Sequence, residues 1–115
     1  MNESNNLLRA AYPAPDEPER FETLLTGSGR FRVERILSGG QITPEGEWYD
    51  QEQDEWVVLL EGEARLRYAD GTEVTLCKGE SLFLPKHKRH RVVYTSPACL
   101  WLAVHADTLN PEGSF

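Results

Sequence analysis

The stretch Glu55-Trp56-Val57-Val58-Leu59-Leu60-Glu61-Gly62 decides how this chain is read. One carboxylate leads an unbroken apolar run from Trp56 to Leu60, and Gly62 closes the segment. A run this short, rich in Val and Leu and stopped by Gly, predicts a strand covered on both faces rather than a helix. The charge at its head is the exception. An unpaired carboxylate is costly to bury, so Glu55 either stays in water at the strand end or points inward at a group that compensates it.

Working outward, the same punctuation repeats. Ala64, Leu66 and Tyr68 alternate with Glu63, Arg65 and Arg67, the period of a half-exposed strand. Asp70-Gly71 is a hairpin signal, and Val74 and Leu76 alternate out of it towards Lys78-Gly79. Ser81–Leu84 is a short strand stopped by Pro85, Arg91–Tyr94 another, and Leu100–Val104 the last, after a turn at Ser96-Pro97. Towards the N-terminus, Phe31 and Val33 alternate with Arg32 and Glu34, and Ile36-Leu37 runs into Gly39-Gly40. Residues 41–54 form a long acidic and aromatic connection, and Glu19–Leu25 a short helix or strand. Three prolines between Tyr12 and Pro18 make residues 1–20 an extended arm. Residues 21–115 then form a single all-β domain, a sandwich or small barrel.

The 115 residues fit one domain, and 39% hydrophobic with 27% charged residues places the chain among globular proteins. A net charge of -7 argues against general binding to nucleic acid or an anionic membrane. Cys77 and Cys99 lack metal-ligand or disulfide spacing and read as ordinary buried thiols. No secretory leader or run of spanning length is visible, so a cytoplasmic location is expected.

These residues resemble the cupins, small jelly-roll β-barrels whose first motif runs G-x5-H-x-H-x(3–4)-E-x6-G and whose second runs G-x5-P-x-G-x2-H-x3-N. Glu55 and Gly62 stand at the end of the first motif; Gly79, Pro85 and His90 stand at the first Gly, the Pro and the His of the second. The resemblance spans roughly Phe31 to His105 and implies a jelly-roll (double-stranded β-helix) barrel with a short N-terminal arm. It departs from the pattern at both first-motif histidines, which fall at Tyr49 and Gln51 or, with the longer gap, at Trp48 and Asp50. The second Gly of the second motif is His87, and its Asn is Tyr94.

The resemblance implies a divalent metal ion (Fe, Mn, Zn or Ni) held by Glu55 and His90. Gln51 joins them if strand parity decides, because residues two apart share a face; Asp50 joins them if a bulge intervenes and anionic chemistry decides. Without an ion, Glu55 and His90 pair inside the barrel. Tyr49, His87, Arg91 and His105 are the further cavity or substrate-binding candidates. His87 is expected at the barrel mouth, and His105 either as a nearby imidazole or as a strand-end surface residue. The basic run Lys86–Arg91 either faces the acidic segment Glu45–Glu55 or supplies an arginine that grips a carboxylate ligand. No nucleophile–base arrangement appears, and no residue is assigned a catalytic role. The expected function is binding of a divalent metal and a small polar or anionic molecule, as a metal-dependent enzyme or as a metal-free binding module. With Glu55 inward, Trp56, Val58 and Leu60 point outward, and that apolar face predicts a homodimer.

Overall fold

The computed structural model describes residues 4–113. Eight strands follow one another: β1 (Arg20–Thr26), β2 (Arg32–Ser38), β3 (Asp54–Glu61), β4 (Glu63–Tyr68), β5 (Glu73–Cys77), β6 (Ser81–Leu84), β7 (His90–Thr95) and β8 (Cys99–Ala106). They form two antiparallel sheets, of order β1-β2-β8-β3-β6 and β5-β4-β7. Hydrogen bonds do not close the sheets into one barrel, but the arrangement is compatible with a jelly roll. Among the described residues no helix is long and apolar enough to cross a membrane.

The opening stretch behaves as its pattern requires. Glu55, Val57 and Leu59 face inward, while Trp56, Val58 and Leu60 face out and are half-buried. Val57 and Leu59 join Ala64, Leu66, Leu76, Leu84, Trp101 and Ala103 in the core between the sheets. On the outer face Trp56 shares a shallow apolar depression with Phe83, Val104 and the C-terminal residues Leu109–Glu112. Asp54 ties that C-terminal segment down, accepting the Leu109 N–H at 2.9 Å and the Lys86 N–H at 2.8 Å. The chain itself therefore covers part of the face expected to carry a dimer.

In β2 the charged row of the alternation faces inward. Its polar residues Arg32 and Glu34 line the interior with Ile36, whereas Val33 lies outside with Arg35 beneath the N-terminal arm. Arg35 Nη1 donates to the Leu7 and Arg9 carbonyls at 2.9 and 2.7 Å, fixing the arm across that outer surface. At Gly39 a Cβ would run into the Pro13 carbonyl, so the arm also needs a glycine beneath it. The thiols divide too: Cys99 is buried, which pushes its pKa up to about 12, while Cys77 is exposed.

Gly62 joins β3 to β4 at φ +87°, and a Cβ there would collide with the Ala98 carbonyl and the Ser96 hydroxyl. Gly79 has a similar φ of +88° but open space around it. Gly79→Ala should therefore cost only the backbone term, about 1 kcal/mol. Gly62→Ala adds a clash with backbone and should cost roughly 3 kcal/mol or more. Thermal denaturation of the two variants should separate them by on the order of 10 °C; equal melting temperatures would contradict the close approach at Gly62.

Candidate functional site

A cavity of about 350 Å³ opens between the sheets, within the range of small-molecule sites. One cross-strand row supplies much of its polar wall. Arg32 on β2 stands opposite His105 on β8, His105 opposite Glu55 on β3, and Glu55 opposite Leu84 on β6. All four line the cavity. Antiparallel pairing places such residues side by side on one face, so the row follows from register and alternation alone.

His105 Nε2 lies 2.9 Å from Glu34 Oε1 and 3.7 Å from Glu55 Oε2. The shorter contact is a hydrogen bond donated to Glu34, whose second oxygen lies 3.7 Å from Arg32 Nε. The His105 bond holds the Glu34 carboxyl below its ordinary pKa, against the upward push of burial. Glu55 is 7% exposed, and burial pushes its pKa up despite the nearby imidazoles of His105 and His90. Deeper along the same wall, Trp101 Nε1 donates to Ser38 Oγ at 3.1 Å, and Ser38 Oγ–H donates to Glu19. Burial raises the pKa of Glu19 too.

The facing wall comes from β7 and the connection beside it. Tyr49 exchanges backbone hydrogen bonds with His90 (N–H to O distances of 2.8 and 3.1 Å), and its ring stacks on the imidazole with centroids 5.4 Å apart. His90 Nδ1 lies 2.9 Å from the Lys88 carbonyl. A carbonyl only accepts, so Nδ1 carries a proton, and in the neutral imidazole Nε2 is left as an acceptor. Gln51 lines the cavity, and Phe21, 56% exposed, and Tyr49, 39% exposed, are its most open lining residues.

Of the residues singled out from sequence, Glu55, His90, Gln51, Tyr49 and His105 share this cavity. His105 is a buried neighbour of Glu55, not a strand-end surface residue. Asp50 is not part of it: parity holds, and its carboxylate turns out to His87 Nδ1 at 2.9 Å. His87 is exposed in that pair and does not line the cavity. Its φ of +64° explains the family glycine at this position, since the turn needs a left-handed residue. Arg91 also points away. It is buried beneath the connection, with Nη2 donating to the Thr43 carbonyl at 2.9 Å and lying 3.6 Å from Glu45. The basic run thus faces the acidic connection rather than a cavity ligand. Glu19, Arg32 and Glu34 were not singled out, because Glu19 precedes the first strand and the alternation of Arg32 and Glu34 with Val33 does not by itself say which row faces the cavity. The useful signal was Ile36, which shares the parity of Arg32 and Glu34.

The cupin-domain family profile matches residues 33–105, the span holding Glu55, His90 and His105. The chain belongs to the cupin family. A Ralstonia eutropha JMP134 protein described as a candidate mannose-6-phosphate isomerase is 39% identical, with a TM-score of 0.83 over 93% of this chain and all of that one. An RmlC-like cupin from Desulfovibrio desulfuricans is 22% identical, covering 93% and 98% of the two chains at a TM-score of 0.72. A cupin superfamily protein from Desulfitobacterium hafniense DCB-2 is 18% identical, covering 90% and 91% at 0.71. These last two show likeness of fold. No functionally curated protein matches.

In this cupin the side chains do not fit the metal implied by the family pattern. Tyr49 and Gln51 occupy the first-motif histidine positions, and of the two imidazoles near Glu55, His105 gives its Nε2–H to Glu34 and His90 alone keeps an open ring nitrogen. Among the described residues no group of three or more His, Cys, Asp or Glu side chains is placed to hold an ion.

The two inner glutamates should titrate with opposite effects on stability. The Glu34 pKa is lowered from 4.5, so its contribution is present above that pH and is lost as pH falls through the folded value. The Glu55 pKa is raised from 4.5, so the wild-type residue is penalised above that pH and relieved below it. Glu34→Gln should lower stability at pH 7 by about 2–3 kcal/mol through loss of the buried pair, with the deficit shrinking below about pH 4.5. Glu55→Gln should instead raise the melting temperature at pH 7, and that gain should vanish in acid. Melting curves across pH check both signs.

Proposed function

We propose that this cupin binds a small polar molecule in its inter-sheet cavity without a resident metal ion. The observation that carries the reading is the commitment of the His105 Nε2–H to Glu34, which leaves His90 as the one imidazole near Glu55 with an open ring nitrogen, among the described residues, where the family pattern supplies three. The cavity volume and its mixture of buried polar groups with Trp101, Tyr49 and Leu84 support a ligand pocket over a packed structural core. The sugar phosphate named for the Ralstonia relative suits this cavity poorly. Glu19, Glu34 and Glu55 line it against one permanent cation, Arg32, and Arg91 lies elsewhere. The ligand is therefore neutral or cationic rather than anionic.

The competing reading is an ion of iron, manganese, zinc or nickel on Glu55, His90 and Gln51, supported by the free acceptor of His90. Elemental analysis of tag-free protein, incubated with each metal and then dialysed, decides between them. Substoichiometric metal in every case is expected. One retained equivalent that is lost in both Glu55→Ala and His90→Ala would overturn the metal-free reading.

We also propose a homodimer, supported by the exposed Phe21, Leu24 and Leu25 of the sheet-edge strand β1 and by the half-buried Trp56, Val58 and Leu60. Light scattering at micromolar concentration should report twice the chain mass; a monomer throughout that range would count against it.

A further inference from the structure

Glu55 is the least explained group in the cavity. It is nine-tenths buried and lines the open space, yet among the described residues no donor makes a hydrogen bond to its carboxylate. The nearest basic side-chain nitrogen among the described residues, His105 Nε2, stands 3.7 Å away and gives its hydrogen to Glu34. Buried polar groups left unmatched are costly, so an unmatched carboxylate at a cavity wall is matched by what enters the cavity.

Three further features narrow what that is. His90 presents Nε2 as an acceptor because Nδ1 is spent on the Lys88 carbonyl. Arg32 is already engaged, 3.7 Å from Glu34 and donating to Gln53 Oε1 at 3.3 Å. Acceptors and negative charge therefore dominate the polar wall, and the remaining lining includes the apolar faces of Trp101, Tyr49, Val57 and Phe21. An anion entering here meets like charge in a partly dry space, where repulsion is strong. A hydroxyl supplies one donor and no charge. An ammonium supplies three donors and a charge, and a carboxylate–ammonium bond is among the stronger hydrogen bonds.

We propose that the cavity takes a small primary amine, its ammonium received by Glu55 and its apolar body lying against Trp101 and Tyr49. This rests on the metal-free reading above and assigns the ligand class to the same cavity. A compact divalent ion would need several anionic or imidazole donors converging on one point, whereas an ammonium needs one carboxylate and neutral acceptors beside it.

Titration calorimetry on chelator-dialysed protein with three matched probes tests this: 2-phenylethylamine, 2-phenylethanol and 3-phenylpropionate. The amine should bind at least about tenfold more tightly than the alcohol, the scale of one charge-assisted bond, and the carboxylate should not bind. Glu55→Gln should weaken the amine by a similar factor and leave the alcohol within about threefold. Asp50→Asn, which alters a carboxylate outside the cavity, should change neither. The wild-type ranking stands whether or not the Glu55 variant folds. Alcohol or carboxylate binding as tightly as the amine would overturn the ligand class while leaving a metal-free pocket intact. Zinc or manganese binding stoichiometrically in place of the amine, or no binding by any probe, would overturn both readings.

Discussion

A carboxylate inside an apolar barrel has to be answered, and much of the inner architecture is arranged around the answer at Glu55. A bare buried charge would cost several kcal/mol, more than most single interactions in a domain this size return. The sheet responds with a cross-strand row in which a histidine stands beside the glutamate and an arginine beyond the histidine. Compensation is nonetheless shared. His105 gives its short bond to Glu34, and Glu55 receives only the longer contact. The two glutamates therefore diverge, Glu34 held towards the charged form and Glu55 towards the neutral one. Such divergence between neighbouring carboxyls is a common mark of a working site.

The inward and outward rows of β3 were legible because a single strand with one polar end leaves only two parities to choose between. The turns at Gly62, Asp70-Gly71 and Gly79 were legible for a similarly local reason, since each needs a left-handed glycine. β2 was not. Val33 faces out because the N-terminal arm covers it, while Ile36 faces in with Arg32 and Glu34, and that cover comes from a segment with no periodicity to announce it. The neighbour of Glu55 was legible only as one of two alternatives, with His105 either beside it or at the surface. Motif spacing named His90, on the opposite sheet, while register between β3 and β8 set His105 beside it. Pairing between distant strands cannot be read from either strand alone.

Backbone and side chains have diverged to different degrees in this cupin. His87 keeps the left-handed turn that family members build with glycine, and Tyr49 keeps an inward position where they place histidine. The stack of Tyr49 on His90 sets an aromatic ring beside the retained second-motif histidine, where the family pattern places a first-motif histidine. The fold is that of the family while side chains at its motif positions differ, in keeping with the rule that a fold does not dictate the function of its site.

The residues ahead of the matched segment have a consequence that reaches beyond packing. Glu19, Phe21 and Arg32 line the cavity, yet all three precede residue 33, where the match to the family begins. The wall of the pocket is therefore written partly in a portion of the chain that family comparison never reads. Two cupins with identical matched segments but different leading residues would share a barrel and offer their ligands different doorways. For proteins of this kind, inheritance of selectivity runs through the N-terminal segment as much as through the motifs.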